Sequence, residues 1–277
     1  MNNQTAILTD LGFNRLEAEV YIQLLTHPLA TAYKIGKLIN KPTANVYKAM
    51  DTLAEKGAVI IEDNKTKLCT AVKPDEFLNL LEKTLLRKTE IAKQSLNNLN
   101  KEITDQRSYS LKSVPLVFEK AKIMLRKCQK IAVIDAFPKA LAKITGLLEE
   151  TAKRGVSVHV EAYEHIDIPG VDVSVATIGK KSTDHWKSQQ LNIIIDGEEH
   201  LIALLDDELK KIKQATWSRN VYMSCILHAG RLREQTVVKI LNKLNSSGFE
   251  SEVKNILSKE KFFFNSDIPG FNKLFKS

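Results

Sequence analysis

Apolar residues in the first 60 positions recur at helical spacing, and polar or proline punctuation divides them into three segments. Leu16, Val20, Tyr21, Leu24 and Leu25 share one face of a helix that opens at Asn14-Arg15-Leu16-Glu17. There the Asn14 side chain can accept from an orphan amide while Glu17 reaches back, a capping-box arrangement. The helix ends before Pro28. Thr31 caps a second helix with the stripe Ile35, Leu38 and Ile39, interrupted at Asn40-Lys41-Pro42 because proline disfavours helical geometry in the residue before it. A third helix runs from about Pro42 to Lys56, burying Val46, Ala49, Met50 and Leu53, and Gly57 suits the left-handed residue that closes it. The pattern then turns β-rich over 58–62 and 66–72, around the polar turn Asp63-Asn64-Lys65, which predicts a hairpin.

Two short helices joined by a three- or four-residue turn form a helix-turn-helix, and a hairpin after the helices is a wing. The second helix of such a motif can enter the major groove. Opposite its buried stripe stand Thr43, Ala44, Asn45 and Lys48, with Tyr47 beside them. Asn pairs bidentately with adenine, Thr and Ala meet a thymine methyl, and Lys reaches guanine or phosphate. Lys65 and Lys67 near the wing tip would meet phosphate or the minor groove, adding affinity without much sequence information. The alternative is that these are ordinary solvated residues.

Lys73-Pro74-Asp75 opens a long polar helix expected to continue to about Gln106. Leu85, Thr89, Ala92, Leu96, Leu99 and Ile103 alternate spacings of four and three, the seam of a coiled coil. A seam needs a partner. A homodimer is preferred, since paired recognition helices on paired half-sites gain specificity; packing of the helix on its own domain is the alternative, because Thr89 and Ala92 weaken the seam.

Beyond the linker, Ile131–Asp135 reads as a buried strand, Pro138–Arg154 as a helix and Val156–Ala162 as a second strand, a β-α-β unit with Gly155 at the helix exit. Val171–Thr177 follows as a short strand, Leu191–Asp196 and His200–Leu205 as a hairpin, and a helical region begins near Asn220. The expected fold class is α+β. Its parts are a winged helix-turn-helix over 1–74, a linking and dimerisation helix over 75–108 and an α/β domain over 109–277.

The composition, 43% hydrophobic and 27% charged over 277 residues, fits folded domains. The opening residues lack a signal peptide and no apolar run reaches the roughly 20 residues of a bilayer span, so a cytoplasmic protein with no membrane partner is expected. Cys69, Cys128 and Cys225 lie far apart and are expected to be packing residues, building neither a disulfide framework nor a zinc site. No metal is expected, since His159 and His165 lack carboxylates at a ligand spacing. There is no Walker loop and no G-x-S-x-G, and no cofactor is expected. The net charge of +8 favours polyanionic partners but does not locate them. Residues 31–73 set eight lysines against four acids, whereas most of the surplus lies beyond residue 110.

The segments LGFNRLEAEVYIQLL and KIGKLINKPTANVYKAMDTLAEKGAVI closely resemble the DNA-binding domain of the TrmB family of transcriptional regulators. Val46, Tyr47, Leu53, Lys56 and Gly57 match the V-Y-x-x-x-x-x-L-x-x-K-G ending of that domain. The resemblance covers about residues 7–110 and implies double-stranded DNA as partner. It suggests sugars as effectors only for members with an additional sugar-binding domain, for which this chain is expected to be too short.

QLNIIIDGEEHLIAL, with Trp217-Ser218-Arg219-Asn220 beyond it, resembles the phospholipase D-like domain of many such regulators. In the enzymes, a His-x-Lys pair precedes an Asp, and Gly-Ser-x-Asn follows. Aligning Asp196 with that Asp puts Gln190 where His belongs and Asn192 where Lys belongs, and an amide is neither nucleophile nor general acid near neutral pH. The expectation is a non-enzyme whose Gln190, Asn192, Asp196, Ser218 and Asn220 line a pocket for a small polar effector. No catalytic residue is assigned. His185-Trp186-Lys187, just upstream, keeps open a phospholipase D-like phosphodiesterase or nuclease that docks through its winged helix. An assembly factor whose winged helix binds protein is a third possibility.

Overall fold

The computed structural model describes residues 3–62, 67–97, 99, 105–177, 179–259 and 267–276. The chain divides into two compact units, Met1–Glu102 and Ile103–Ser277.

The first unit comprises α1 (Asn3–Asp10), α2 (Arg15–Thr26), α3 (Ala32–Ile39), α4 (Thr43–Glu55), β1 (Val59–Ile61), β2 (Cys69–Ala71) and α5 (Pro74–Asn97). Helix α1 precedes the three expected ones and had no reading in the sequence, because its amphipathic signal is weak. Asn14 Oδ1 accepts from Glu17 N at 2.9 Å and Asn14 N donates to Glu17 Oε2 at 2.9 Å, the expected capping box. Thr31 caps α3, and Asn40 closes it in the left-handed conformation. The stripe of α3 differs from expectation. Ile35 and Gly36 are buried while Leu38 is 48% exposed, since Gly36 brings α4 close on that side. A Cβ on Gly36 would stand 2.9 Å from the Lys41 carbonyl, so glycine permits the tight turn into α4.

Val46, Ala49, Met50 and Leu53 of α4 enter the unit's core as expected. Gly57 follows at φ +76°, beyond the end of α4. β1 and β2 pair antiparallel, with Val59 opposite Ala71, and Cys69 exchanges both backbone hydrogen bonds with Ala30. The wing is thereby tied to the segment between α2 and α3. Phe77, fully buried, meets Phe13 edge-on at 5.6 Å and anchors the first turns of α5, a burial worth about 2–3 kcal/mol.

The second unit runs β3 (Ser108–Ser110), α6 (Val114–Lys127), β4 (Ile131–Ala136), α7 (Pro138–Ala142), α8 (Thr145–Lys153), β5 (Ser157–Ala162), β6 (Asp172–Val175), α9 (Gly179–Trp186), β7 (Ser188–Ile195), β8 (Glu199–Asp206), β9 (Ile212–Ser218), α10 (Val221–Leu241), α11 (Phe249–Lys259) and α12 (Pro269–Lys276). Seven strands form one mixed sheet in the order β3-β9-β8-β7-β4-β5-β6. β4, β5 and β6 are parallel, as a β-α-β crossover requires, and β7, β8, β9 and β3 continue antiparallel. The single helix expected over Pro138–Arg154 is broken at Ile144, so Leu141, Ile144 and Leu148 all reach the core. α6, α9, β3 and β9 had no reading in the sequence; β9 carries Lys213 and Gln214 among its apolar residues and does not look like a strand.

One sheet face packs on α6, α7 and α8 and the other on α10 and α12. Asp196 and Gly197 both take positive φ, as a tight turn between β7 and β8 demands. Gly270 of α12 sits against that turn, its amide donating to the Asp196 carbonyl at 2.9 Å. All three cysteines are buried. Among the described residues, no helix is long and apolar enough to cross a membrane.

Candidate functional site

Helix α4 leaves the αL turn at Asn40 with Pro42 at its cap position and no side chain capping its first turn. Its buried residues fix its roll, so Ala44, Asn45, Tyr47 and Lys48 are all exposed on the outer side, and Thr43 is half-buried. Asn45 and Lys48 share a shallow cleft of about 210 Å³ with Asn14 and Thr52. On α3, Tyr33 is exposed and the Lys37 ammonium lies 4.7 Å from its ring centroid, while Lys34 and Lys41 are also exposed. The sequence reading omitted these four residues; lysines at 34, 37 and 41 around one exposed tyrosine were the available signal. Lys67 is exposed beside the wing strand β2, and Lys65 lies outside the described residues.

In the second unit the register aligns a polar row across four strands. Asn192 of β7 stands opposite Asp135 of β4, Asp135 opposite Glu161 of β5, and Glu161 opposite Ser174 of β6. All four are buried beneath α10. Asn192 Nδ2 donates to Asp135 Oδ2 at 3.0 Å, Gln190 Nε2 donates to Asp135 Oδ1 at 2.6 Å, and Arg231 of α10 reaches Asp135 Oδ2 at 3.1 Å. Gln190 Nε2 also lies 3.2 Å from the Tyr163 hydroxyl. Burial raises the Asp135 carboxyl above its usual range, with Arg231 opposing. Glu161 is pushed up to about 7, by burial first and then by the charges of Asp135 and Glu234. Its Oε2 has no hydrogen-bond partner among the described residues. Gln190, Asn192 and Arg231 border a cleft of about 270 Å³ whose other walls include Trp186, Gln214 and Thr216.

The five residues expected to form one effector pocket fall in two places. Gln190 and Asn192 belong to the cleft, but Asp196 lies just past the end of β7, six residues beyond Gln190 and four beyond Asn192, about 20 and about 13 Å at strand rise. The Asp196 carboxylate accepts from the backbone amides of Gln129, Lys130 and Ile131, at 2.9, 2.8 and 3.0 Å, and so secures the start of β4. Ser218 Oγ donates to the Arg107 carbonyl, and Asn220 Oδ1 caps α10 by accepting from Met223 N. These three side chains are engaged in holding backbone. The enzyme signature sets four residues between Lys and Asp, which counted back from Asp196 reaches Gln189 and Leu191 instead of Gln190 and Asn192. Gln189 Nε2 donates to Asp207, and Leu191 is core on the opposite sheet face, so neither alignment supplies the His-Lys pair.

His185 and Lys187 are exposed and do not border the cleft, whereas Trp186 between them does. His159 is held between Ser157 Oγ and Asp172 Oδ2, and that contact keeps the Asp172 carboxyl well below the usual carboxylate range. Among the described residues, no three His, Cys, Asp or Glu side chains are placed to hold a metal ion. The cleft offers amides, a hydroxyl, an indole and a guanidinium, which suits holding a polar molecule.

Residues 8–75 match the family model described as the sugar-specific transcriptional regulator TrmB. The match falls on the N-terminal module, where Val46, Tyr47, Leu53, Lys56 and Gly57 carried the resemblance. Over 268 residues the chain is 21% identical to the uncharacterized protein YrhO of Bacillus subtilis (strain 168), covering 96% of this chain and 97% of that one. Among solved structures it is similar to that of TrmBL2, an archaeal chromatin protein described as showing a novel mode of DNA binding, with 14% identity and a TM-score of 0.39 over 84% of this chain and 97% of that one.

Proposed function

We propose that the protein is a DNA-binding transcriptional regulator that presents α4 to the major groove. The observation that carries this reading is the exposed set Ala44, Asn45, Tyr47 and Lys48 on the outer side of α4, within a module that matches a family of transcriptional regulators. Thr43 at the helix start and Lys67 on the wing side complete the contacts, with Lys65 assigned from the sequence alone. Base edges would be read by Asn45 and by Ala44 or Thr43, and phosphates by the lysines. Selection of bound fragments from genomic DNA, followed by titration at two salt concentrations, tests it. Absence of a common sequence together with salt-independent binding would overturn it.

The working form in this reading is a homodimer joined along α5, where Leu85 and Leu96 are more than half exposed, as is Leu99 just beyond the helix end. A small polar ligand in the cleft bordered by Gln190, Asn192 and Arg231 adjusts DNA affinity by favouring one packing of α10 on the sheet. In this assignment Asp196, Ser218 and Asn220 support the domain's frame and do not touch the ligand. The C-terminal unit is read as a phospholipase D-like domain without the catalytic pair, for which Ser218 and Asn220 are the remaining marks of likeness.

The competing enzyme reading has one feature in its favour, the exposed His185 next to Trp186 at the cleft. Phosphodiester turnover by purified protein, abolished in His185→Ala, would establish that reading in place of ours. We expect no turnover.

A further inference from the structure

We propose that the C-terminal unit carries a docking surface of its own for the phosphate backbone of duplex DNA, a groove beside the β3–β9 edge lined by Lys112, Lys210, Lys211 and Lys213. The proposal rests on the regulator reading and adds a second contact to it. The groove encloses about 700 Å³, and its lining contains four lysines and no carboxylate. All four lysines are exposed. Two other grooves of this unit differ: the one beside α12 sets Lys127, Arg219 and Lys273 against Asp196, Glu198 and Glu199, and the cleft under α10 has Arg231 as its charged residue.

The local fold holds these charges in place. β3 pairs with Thr216, Trp217 and Ser218 of β9, and the next residue, Leu111, donates its amide to the Ala215 carbonyl at 3.0 Å, so Ile212, Lys213 and Gln214 of β9 form open groove wall next to Lys112 and Ser113. At the β8–β9 turn, Leu209 takes a positive φ, and Asp206 Oδ1 accepts from the backbone amides of Lys210 and Lys211 at 2.7 and 2.9 Å. That carboxylate is turned onto backbone, and both lysine side chains are left to the groove. Glu208 pairs with Lys210 at 2.6 Å, but both are strongly exposed, and such a pair exchanges readily for a phosphate. The Lys213 ammonium lies 2.5 Å from Ser188 Oγ and 3.4 Å from the Lys187 carbonyl, at the start of β7, so Lys213 borders the groove with its charge already held.

Charge complementarity selects the occupant. Residues 111–277 hold six of the eight surplus positive charges, and the groove joins its lysines to the hydroxyl-bearing Ser110, Ser113 and Thr216. Ammonium groups and hydroxyls match a run of phosphate oxygens. The groove has no arginine or aromatic residue of the kind that anchors a protein partner or reads bases. Contacts here would add affinity and salt dependence with no sequence preference.

The test uses the full-length chain and the triple variant Lys112→Gln, Lys210→Gln, Lys211→Gln, with binding to a selected duplex and to an unrelated one measured across a salt series. Each lysine that meets a phosphate contributes about 0.9 to the slope of log affinity against log salt. We expect the slope to fall by about two to three on both duplexes, with their affinity ratio and the melting temperature unchanged. If the triple variant unfolds early, Lys112→Gln and Lys211→Gln are read singly, each lowering the slope by about 0.9. An unchanged slope with wild-type DNA binding intact overturns the inference alone. Wild-type protein without salt-dependent DNA binding overturns the regulator reading, and this inference with it. Loss of binding to phosphatidylserine vesicles or polyglutamate in the variant, with the DNA slope unchanged, assigns the groove to another polyanion and also overturns the proposal.

Discussion

The Lys56 ammonium stands 2.6 Å from Glu17 Oε2, the same oxygen that accepts from Asn14 N, so the end of α4 is bonded to the cap of α2. Glu17 is 3% exposed, and the Lys56 ammonium also lies 5.0 Å from the centroid of the Phe13 ring. This arrangement gives Lys56 of the family ending a physical role. It holds α4 at the end remote from Thr43, Ala44 and Asn45.

Removing Lys56 leaves a buried carboxylate with backbone partners alone. Lys56→Met is therefore expected to destabilise the N-terminal unit by about 2–3 kcal/mol, less than the roughly 3–5 kcal/mol of a fully buried pair because Lys56 is partly exposed. Urea unfolding measures it. Glu17→Gln in the Lys56→Met background should recover part of the loss; additive losses in that double-mutant cycle would show that the pair is not coupled.

On α4, Asn45→Ala is expected to relax base preference at one position per half-site, at a cost of roughly 1–3 kcal/mol on the cognate duplex. Lys67→Ala beside the wing should weaken all duplexes about equally and lower the salt slope by about one. Titrations on cognate and mutated sites separate the two. Equal loss of specificity from both changes would contradict the assigned roles.

Leu96 and Leu99 are 59% and 75% exposed. If α5 pairs with its copy, Leu96→Glu with Leu99→Glu places like charges at the seam and shifts the protein toward monomer, with DNA affinity falling alongside. Sedimentation velocity reads the change, and a fully dimeric variant would move the interface away from α5.

Glu161 has its folded-state carboxyl pushed up to about 7, against about 4.3 in an unfolded chain. The folded protein binds this proton more tightly than the unfolded chain, so the group destabilises the fold progressively as pH rises from about 4.3 to 7. The full effect, on the order of 3 kcal/mol, is present above that window. Glu161→Gln removes it. The variant should gain stability over wild type at pH 8 and match it near pH 4, and parallel stability curves for the two proteins would refute the assignment.

The N-terminal module was legible because its determinants are local. The capping box at Asn14 and Glu17, the Thr31 cap, the stop at Asn40-Lys41-Pro42 and the stripe Val46, Ala49, Met50 and Leu53 each depend on residues within a turn or two of one another, and each recurs in the structure. The β-α-β start of the second domain was legible for the same reason, since a run such as Ile131-Ala-Val-Ile is buried on both faces and carries its strand character in itself.

Partnership between distant residues was decided by tertiary structure. No spacing relates Asn192, Asp135, Glu161 and Ser174; only the β7-β4-β5-β6 order and its register put them in one row under Arg231. Conversely, Asp196, Ser218 and Asn220 look like a binding motif in one dimension, yet their side chains hold backbone at the start of β4, at β3 and at the cap of α10. Which polar side chain is left to face a ligand depends on which backbone groups happen to lack partners nearby. That is a property of the folded packing, and strand order is not written in the periodicity of any one strand.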